Sequence, residues 1–157
     1  MVVVWQEELK AEKDEHRVKE LRRRVEKYCD AGYGSCLLKD PRAAEATVQV
    51  LQKHAGVLYN LRHWVLMPNH VHLLLTPLEQ ISLEKIAHQL KGESAREINR
   101  ALGRLGSLWA IETFDRYIRN EDHFLRTAQY IEGNPVKAGL CELPESWPWS
   151  SAAPDAE

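Results

Sequence analysis

His70 and His72 stand two residues apart at the head of an apolar run, Met67-Pro68-Asn69-His70-Val71-His72-Leu73-Leu74-Leu75-Thr76-Pro77. Alternate side chains of an extended strand share a face, so the two imidazoles point one way and Val71, Leu73 and Leu75 the other. Two neutral imidazoles on a rigid strand supply much of a divalent-metal site and need one or two further ligands from elsewhere. The same spacing also suits a satisfied histidine pair at a strand end, so the motif alone leaves metal binding open. Cys29, Cys36 and Cys141 are odd in number and widely spaced, with no C-x-x-C pattern. They read as small buried hydrophobes in a reducing compartment, with no disulfide framework or zinc knuckle.

The elements that must carry these groups follow from hydrophobic spacing. Residues 5–29 are rich in Glu, Lys and Arg, with Val18, Leu21, Val25 and Tyr28 at helical intervals, which predicts a solvated amphipathic helix with a narrow apolar stripe. The stretch Asp30 to Ser35 ends it, and Cys36-Leu37-Leu38 reads as a short extended piece. Asp40 before Pro41 is a helix-start signal, with Ala44, Val48, Leu51 and Ala55 on the buried stripe and Gly56 as the stop. Val57 to Met67 is β-rich and pairs with His70 to Thr76 as an antiparallel hairpin across Pro68-Asn69.

Ser82 caps a further helix with Ile86, Leu90, Ile98, Ala101, Leu102 and Leu105 on one side, leaving through Gly103 and Gly106. Leu108 to Arg119 reads as an extended arm or strand. Asn120 caps a last helix over about 121–133, which Pro135 stops from simply continuing. On that helix Phe124, Ala128 and Ile131 face the core. Tyr130 falls about a third of a turn away, with His123, Thr127 and Asn134, and its spacing alone marks an amphipathic packing residue. Pro144 to Pro148 with Trp147 and Trp149 forms an irregular segment packing its indoles back on the domain, and the chain is expected to fray from Ser150 onward.

The chain has 157 residues and a formal net charge of −2. That length suits one domain. The charge favours no particular partner and counts mildly against nucleic acid, although the half from Lys85 to Leu140 is slightly positive. The Val2-Val3-Val4 run is too short for a signal peptide and no apolar stretch reaches the length of a membrane span, so a soluble, cytoplasmic protein is expected.

Taken together, Met67-Pro68-Asn69-His70-Val71-His72-Leu73-Leu74, Phe114-Asp115-Arg116-Tyr117-Ile118-Arg119, Tyr130-Ile131-Glu132-Gly133-Asn134-Pro135-Val136-Lys137-Ala138-Gly139-Leu140 and Trp147-Pro148-Trp149-Ser150-Ser151-Ala152 resemble the REP-associated tyrosine transposases. These are single-tyrosine HUH transposases, in which H-hydrophobe-H is the metal motif. The resemblance runs in order from about Asp30 to Ala152. It implies one transposase domain over 30–152, with the helix of residues 1–29 as part of it and 153–157 as a frayed tail.

The resemblance implies an α+β, ferredoxin-like antiparallel sheet with helices packed on one face. It implies His70 and His72 as metal ligands, Tyr130 as nucleophile and Asn134 as an amide-type third ligand. The ion would be Mg²⁺ or Mn²⁺, and the substrate single-stranded or hairpin DNA cut through a 5′-phosphotyrosine link. A phenol of ordinary pKa near 10 is a poor nucleophile at neutral pH, and a cation beside it offsets the charge on the attacking and leaving oxygens. Tracking a DNA backbone calls for cations and stacking rings. Lys91, Arg96, Arg116, Arg119 and Lys137 are the candidate cations, with Tyr117 or Trp109 as stacking groups.

Relatives open with a strand before the charged helix, and this sequence starts inside that helix, so the first strand is expected to be missing. Ala110 also stands where relatives carry glutamine. Three readings follow: an active strand-transferring nuclease, an inactive hairpin-binding remnant, and a metal-binding domain without nucleic acid. Monomer and homodimer both stay open.

Overall fold

The computed structural model describes residues 34–110, 113 and 115–154, together with residues 20, 23–25, 27–29 and 31. The expectations for Val2–Val4, most of the first helix, Ile111, Phe114 and residues 155–157 lie outside the described residues. Residues 23–25 and 27–29 are helical, and Val25 is buried, in keeping with the predicted stripe.

Three helices and a hairpin follow in the order α1 (Pro41–His54), β1 (Tyr59–Met67), β2 (His70–Pro77), α2 (Leu83–Leu102) and α3 (Glu121–Lys137). Each helix begins on the side chain that spacing predicts. Asp40 accepts from the Arg42 amide at 3.0 Å, Ser82 from Lys85 at 3.2 Å and Asn120 from His123 at 2.8 Å, each satisfying an N–H that the first helical turn leaves open. α2 ends where Gly103 takes the left-handed conformation at φ 62°, which a side chain would disfavour.

Strands β1 and β2 pair antiparallel, with Met67 opposite His70 and Val65 opposite His72. The register slips between Leu61 and His63, where Arg62 is the extra residue of a bulge. A bulge reverses which residues face which side. Before it, Tyr59 and Leu61 face one side; after it, His63, Val65 and Met67 face the other, the side carrying His70 and His72.

Both faces of the hairpin are apolar, and both are covered. Leu61, Trp64, Leu66, Val71, Leu73 and Leu75 pack with Ala44, Val50 and Leu51 of α1 and Ile86 and Leu90 of α2. Val65, Met67 and Leu74 pack on the opposite side with Ala128 and Ile131 of α3 and with Trp147. The class is α+β as expected, but the helices lie on two faces rather than one, since the histidine face also carries a run of buried aliphatics that needs a cover.

Tyr59 is fully buried and donates to the Leu51 carbonyl at 2.7 Å, with its hydroxyl pushed up to about 12 by burial. Across α1 and α2, the buried Glu93 carboxylate accepts from Lys53 Nζ at 2.5 Å, His54 Nε2 at 2.6 Å and Gln89 Nε2 at 3.2 Å. Those bonds hold Glu93 well below the usual carboxylate range, at about 2, with Lys53 the largest influence and His54 next.

Several expectations are corrected. Pro135 lies inside α3, which continues past it to Lys137. It sits in the last turn, where the helix stops two residues later, so the bond its missing N–H forgoes is near the end in any case. Leu37–Lys39 is a 3₁₀ turn and not an extended piece. The described residues of 108–119 form no strand; Trp109 is instead pinned to α2 by its indole N–H donating to Ser94 Oγ at 2.8 Å. Ser150 and Ser151 do not fray. They lie along the outer edge of β1, with Leu66 N donating to the Trp149 carbonyl at 2.8 Å and Ser151 N to that of Trp64 at 2.9 Å. No third strand pairs with β2 among the described residues.

Candidate metal and nucleophile site

The two-residue turn Pro68-Asn69 brings β2 back against β1 with His70 and His72 side by side on the α3 face. Their Nε2 atoms are 3.0 Å apart, and the rings stand at 90° to each other. Asn69 determines the arrangement. Its Nδ2 donates to the Cys29 carbonyl at 3.0 Å, which turns Oδ1 toward His70 Nδ1 at 2.6 Å. An amide oxygen only accepts, so His70 carries its proton on Nδ1 and presents the Nε2 lone pair to its neighbour. A ligand histidine prepared by a hydrogen bond on its far nitrogen has this form.

Tyr130 of α3 meets the pair, its ring centroid 5.6 Å from that of His72 at 73°. Tyr130 is 38% exposed. Lys137 Nζ lies 5.5 Å from the Tyr130 ring centroid.

Asn134, one helical turn on from Tyr130, is 1% exposed, and neither its Nδ2 nor its Oδ1 has a hydrogen-bond partner among the described residues. The sequence reading groups Asn134 with His123, Thr127 and Tyr130 on a polar face, and of these four Asn134 is the one that is buried. A buried amide with nothing to bond costs about 1–3 kcal/mol. Such a residue calls for a ligand. The two Nε2 atoms, at hydrogen-bond distance from each other in this structure, are imidazole nitrogens of the kind divalent ions take. The donor set thus fits an ion with two imidazoles and an amide oxygen. No group of three or more His, Cys, Asp or Glu gathers among the described residues.

A three-membered clasp sets α3 against the hairpin. His63 Nδ1 donates to Glu132 Oε1 at 2.7 Å, Ser151 Oγ donates to the same oxygen at 2.9 Å, and Ser151 Oγ accepts from the Trp64 amide at 2.9 Å. Glu132 lies between Tyr130 and Asn134 in sequence, so the clasp fixes the helix that carries both. It exists because the Arg62 bulge turns His63 to this face.

The candidate cations divide. Lys137 is at the site. Lys91 and Arg96 are on α2, across the hairpin, and Lys91 donates to the Ala110 carbonyl at 2.9 Å. Main chain there supplies a polar contact at the position where a glutamine was expected. Arg116 and Arg119 are exposed on the segment leading into α3, and so is Tyr117. Sequence reasoning missed Asn69, whose place in the turn before a histidine was the available signal, and His63, Glu132 and Ser151, which no spacing joins. It also set aside Arg23 and Lys27 as part of a wet face. Both line a cavity of about 430 Å³ with Tyr130, Asn134 and Lys137.

A sequence model of the family described as transposase IS200 like matches residues 39–134, more than half of the chain. The chain belongs to the IS200-like transposase family. The family match takes in His70, His72, Tyr130 and, as its last residue, Asn134. A protein of Haemophilus influenzae named as a candidate REP-associated tyrosine transposase is 28% identical over 96 residues, covering 55% of this chain and 54% of that protein. The REP-associated tyrosine transposase of Escherichia coli is 27% identical over 94 residues, covering 59% and 54%. The chain thus spans about half the length of the curated relatives it matches. A solved structure, that of a REP-associated tyrosine transposase bound to a REP hairpin, has the same fold, with a TM-score of 0.57 at 22% identity over 75% of this chain and 68% of that one. Among the described residues of this family member, no helix is long and apolar enough to cross a membrane.

Proposed function

We propose that this chain cuts and rejoins DNA strands, with Tyr130 as nucleophile and a divalent ion, Mg²⁺ or Mn²⁺, held by His70, His72 and Asn134. The observation that carries the reading is the meeting of the His70–His72 pair with Tyr130 on one face, one helical turn from a buried amide that has no partner among the described residues. When bound, the ion would polarise the scissile phosphate and offset charge on the oxygens around it.

The protein's own groups perform the rest. The Tyr130 phenolate oxygen forms a bond to phosphorus, the bond from phosphorus to the 3′ oxygen breaks, and that oxygen leaves as a 3′-hydroxyl after taking up a proton. The products are a 5′-phosphotyrosine and a free 3′ end, and attack by a 3′-hydroxyl reverses the step with the ester energy retained. Lys137, 5.5 Å from the ring centroid, places a cation beside the attacking group. Asn69 and the His63–Glu132–Ser151 clasp hold the imidazoles and α3 in place, which is how a first shell is kept in register. The structurally similar transposase is bound to a REP hairpin, and a hairpin with single-stranded flanks is the substrate class we extend to this chain.

The test is incubation of the protein with such an oligonucleotide and Mn²⁺, followed by a denaturing gel. A protein–DNA band should appear and be lost in Tyr130→Phe. His70→Ala and His72→Ala should lose the band while retaining hairpin binding. Binding with no band from folded wild-type protein would make the chain a hairpin-binding remnant and overturn the catalytic reading.

A further inference from the structure

The cavity lined by Tyr130 carries two cations, Arg23 and Lys27, that the mechanism does not use. Its lining is Arg23, Lys27, Ala31, Tyr130, Asn134, Lys137 and Ala138. Among the described residues, three cations line it and no carboxylate does. Arg23 and Lys27 are four apart on the helical segment preceding α1, so they project from one side of it. Lys137 comes from the last turn of α3, and the Tyr130 ring forms the wall between. Of the described carboxylates on these two elements closest in sequence to the lining, Glu132 is in the clasp with His63 and Ser151, while Glu20 pairs with the lining residue Arg23 at 3.1 Å on its own helical segment. The Glu20–Arg23 pair is exposed on both sides, the kind of pair that an arriving anion displaces readily.

We propose that this cavity is a phosphate-binding subsite for the DNA strand, in which Arg23, Lys27 and Lys137 hold the phosphate next to the one Tyr130 attacks. The proposal rests on the reading of Tyr130 as nucleophile for its location, and on the cavity's own charge for its ligand. A strand entering across the exposed tyrosine places consecutive phosphates on either side of it. The Tyr130 ring meets His72 and also lines this cavity, so the cavity adjoins the histidine pair. The cations act as positioning residues, and their effect is on how well the strand is held.

Two measurements test it without depending on each other. In a Tyr130→Phe background, where no covalent step intervenes, equilibrium binding of a hairpin oligonucleotide with single-stranded flanks is followed against salt. Adding Arg23→Gln and Lys27→Gln should weaken binding at least tenfold and make the slope of log affinity against log salt shallower by about 0.7, the loss of one single-strand phosphate contact. Arg23→Lys with Lys27→Arg should restore most of both. An unchanged affinity and slope overturns the subsite even if Tyr130 proves to be the nucleophile. With unmodified wild-type protein, single methylphosphonate linkages are placed in turn along the flank. One neutral linkage adjacent to the cleaved position should weaken binding, and the same linkage should have no further effect on the Arg23→Gln, Lys27→Gln protein. Equal sensitivity in both proteins overturns the assignment. Absence of any protein–DNA adduct from wild type alongside these binding results would remove the nucleophile reading and leave an anion site for DNA.

Discussion

Asn134 is where stability and function are set against each other most directly. A fully buried amide with no hydrogen bond among the described residues is a cost the metal-free fold carries unaided. Leucine has nearly the same shape and no polar atoms. Asn134→Leu is therefore expected to raise the melting temperature of the metal-free protein by several degrees, equivalent to about 1–3 kcal/mol. The proposed metal site predicts that Mn²⁺ raises the melting temperature of wild type by binding the folded state, and that this rise disappears in the same variant. Differential scanning calorimetry with and without Mn²⁺ measures both. A lower melting temperature in the metal-free variant, or an undiminished response to Mn²⁺, would mean that Asn134 is satisfied in some other way.

Among the elements, α1 and α2 are joined at Glu93, and this junction is pH-sensitive in a predictable direction. Its folded-state pKa of about 2 lies below the ordinary 4.5, because Lys53 and His54 bond the charged carboxylate. A depressed carboxylate stabilises the fold above its unfolded pKa and loses that contribution as pH falls through the folded one. Chemical denaturation should find Glu93→Gln less stable than wild type by about 1–3 kcal/mol at pH 7, a buried partner having been weakened. That gap should narrow as pH falls from about 4.5 toward about 2, the window bounded by the unfolded and folded pKa values. A gap that stays constant down to about pH 3, inside that window, would show that the carboxylate charge is not what joins the helices.

At the same scale, hydrophobic spacing and capping chemistry made most elements legible. The caps at Asp40, Ser82 and Asn120 and the histidine hairpin follow from local residue types. Three features did not, each for a physical reason. The Arg62 bulge leaves no mark because the alternating Tyr59-Asn60-Leu61-Arg62 runs into Trp64-Val65-Leu66-Met67, which is covered on both faces and shows no alternation to reveal the slip, yet it decides where His63 points. Pro135 reads as a break because the rule against proline concerns helix interiors, and its cost shrinks in a last turn. The C-terminal Ser150–Ser151 edge is polar and close to the end of the sequence, so only its pairing with β1 reveals that it is structural.

For the molecule as a whole, the two-sided cover of the hairpin is the feature that makes the site. Helices α1 and α2 bury one face, and α3 brings Tyr130 and Asn134 over the other, where His70 and His72 stand. Residue order alone could associate those four positions only through family resemblance. Their spatial arrangement adds the Asn69 bond that prepares His70, the clasp that fixes α3 and the cationic cavity beyond Tyr130. The central claim is that the Tyr130 hydroxyl supplies the oxygen of the protein–DNA linkage. Its most direct test is to digest the protein–DNA adduct formed with Mn²⁺ and map the modified peptide by tandem mass spectrometry. A 5′-phosphonucleotide on Tyr130 is the predicted result; a nucleotide attached to any other residue would contradict it.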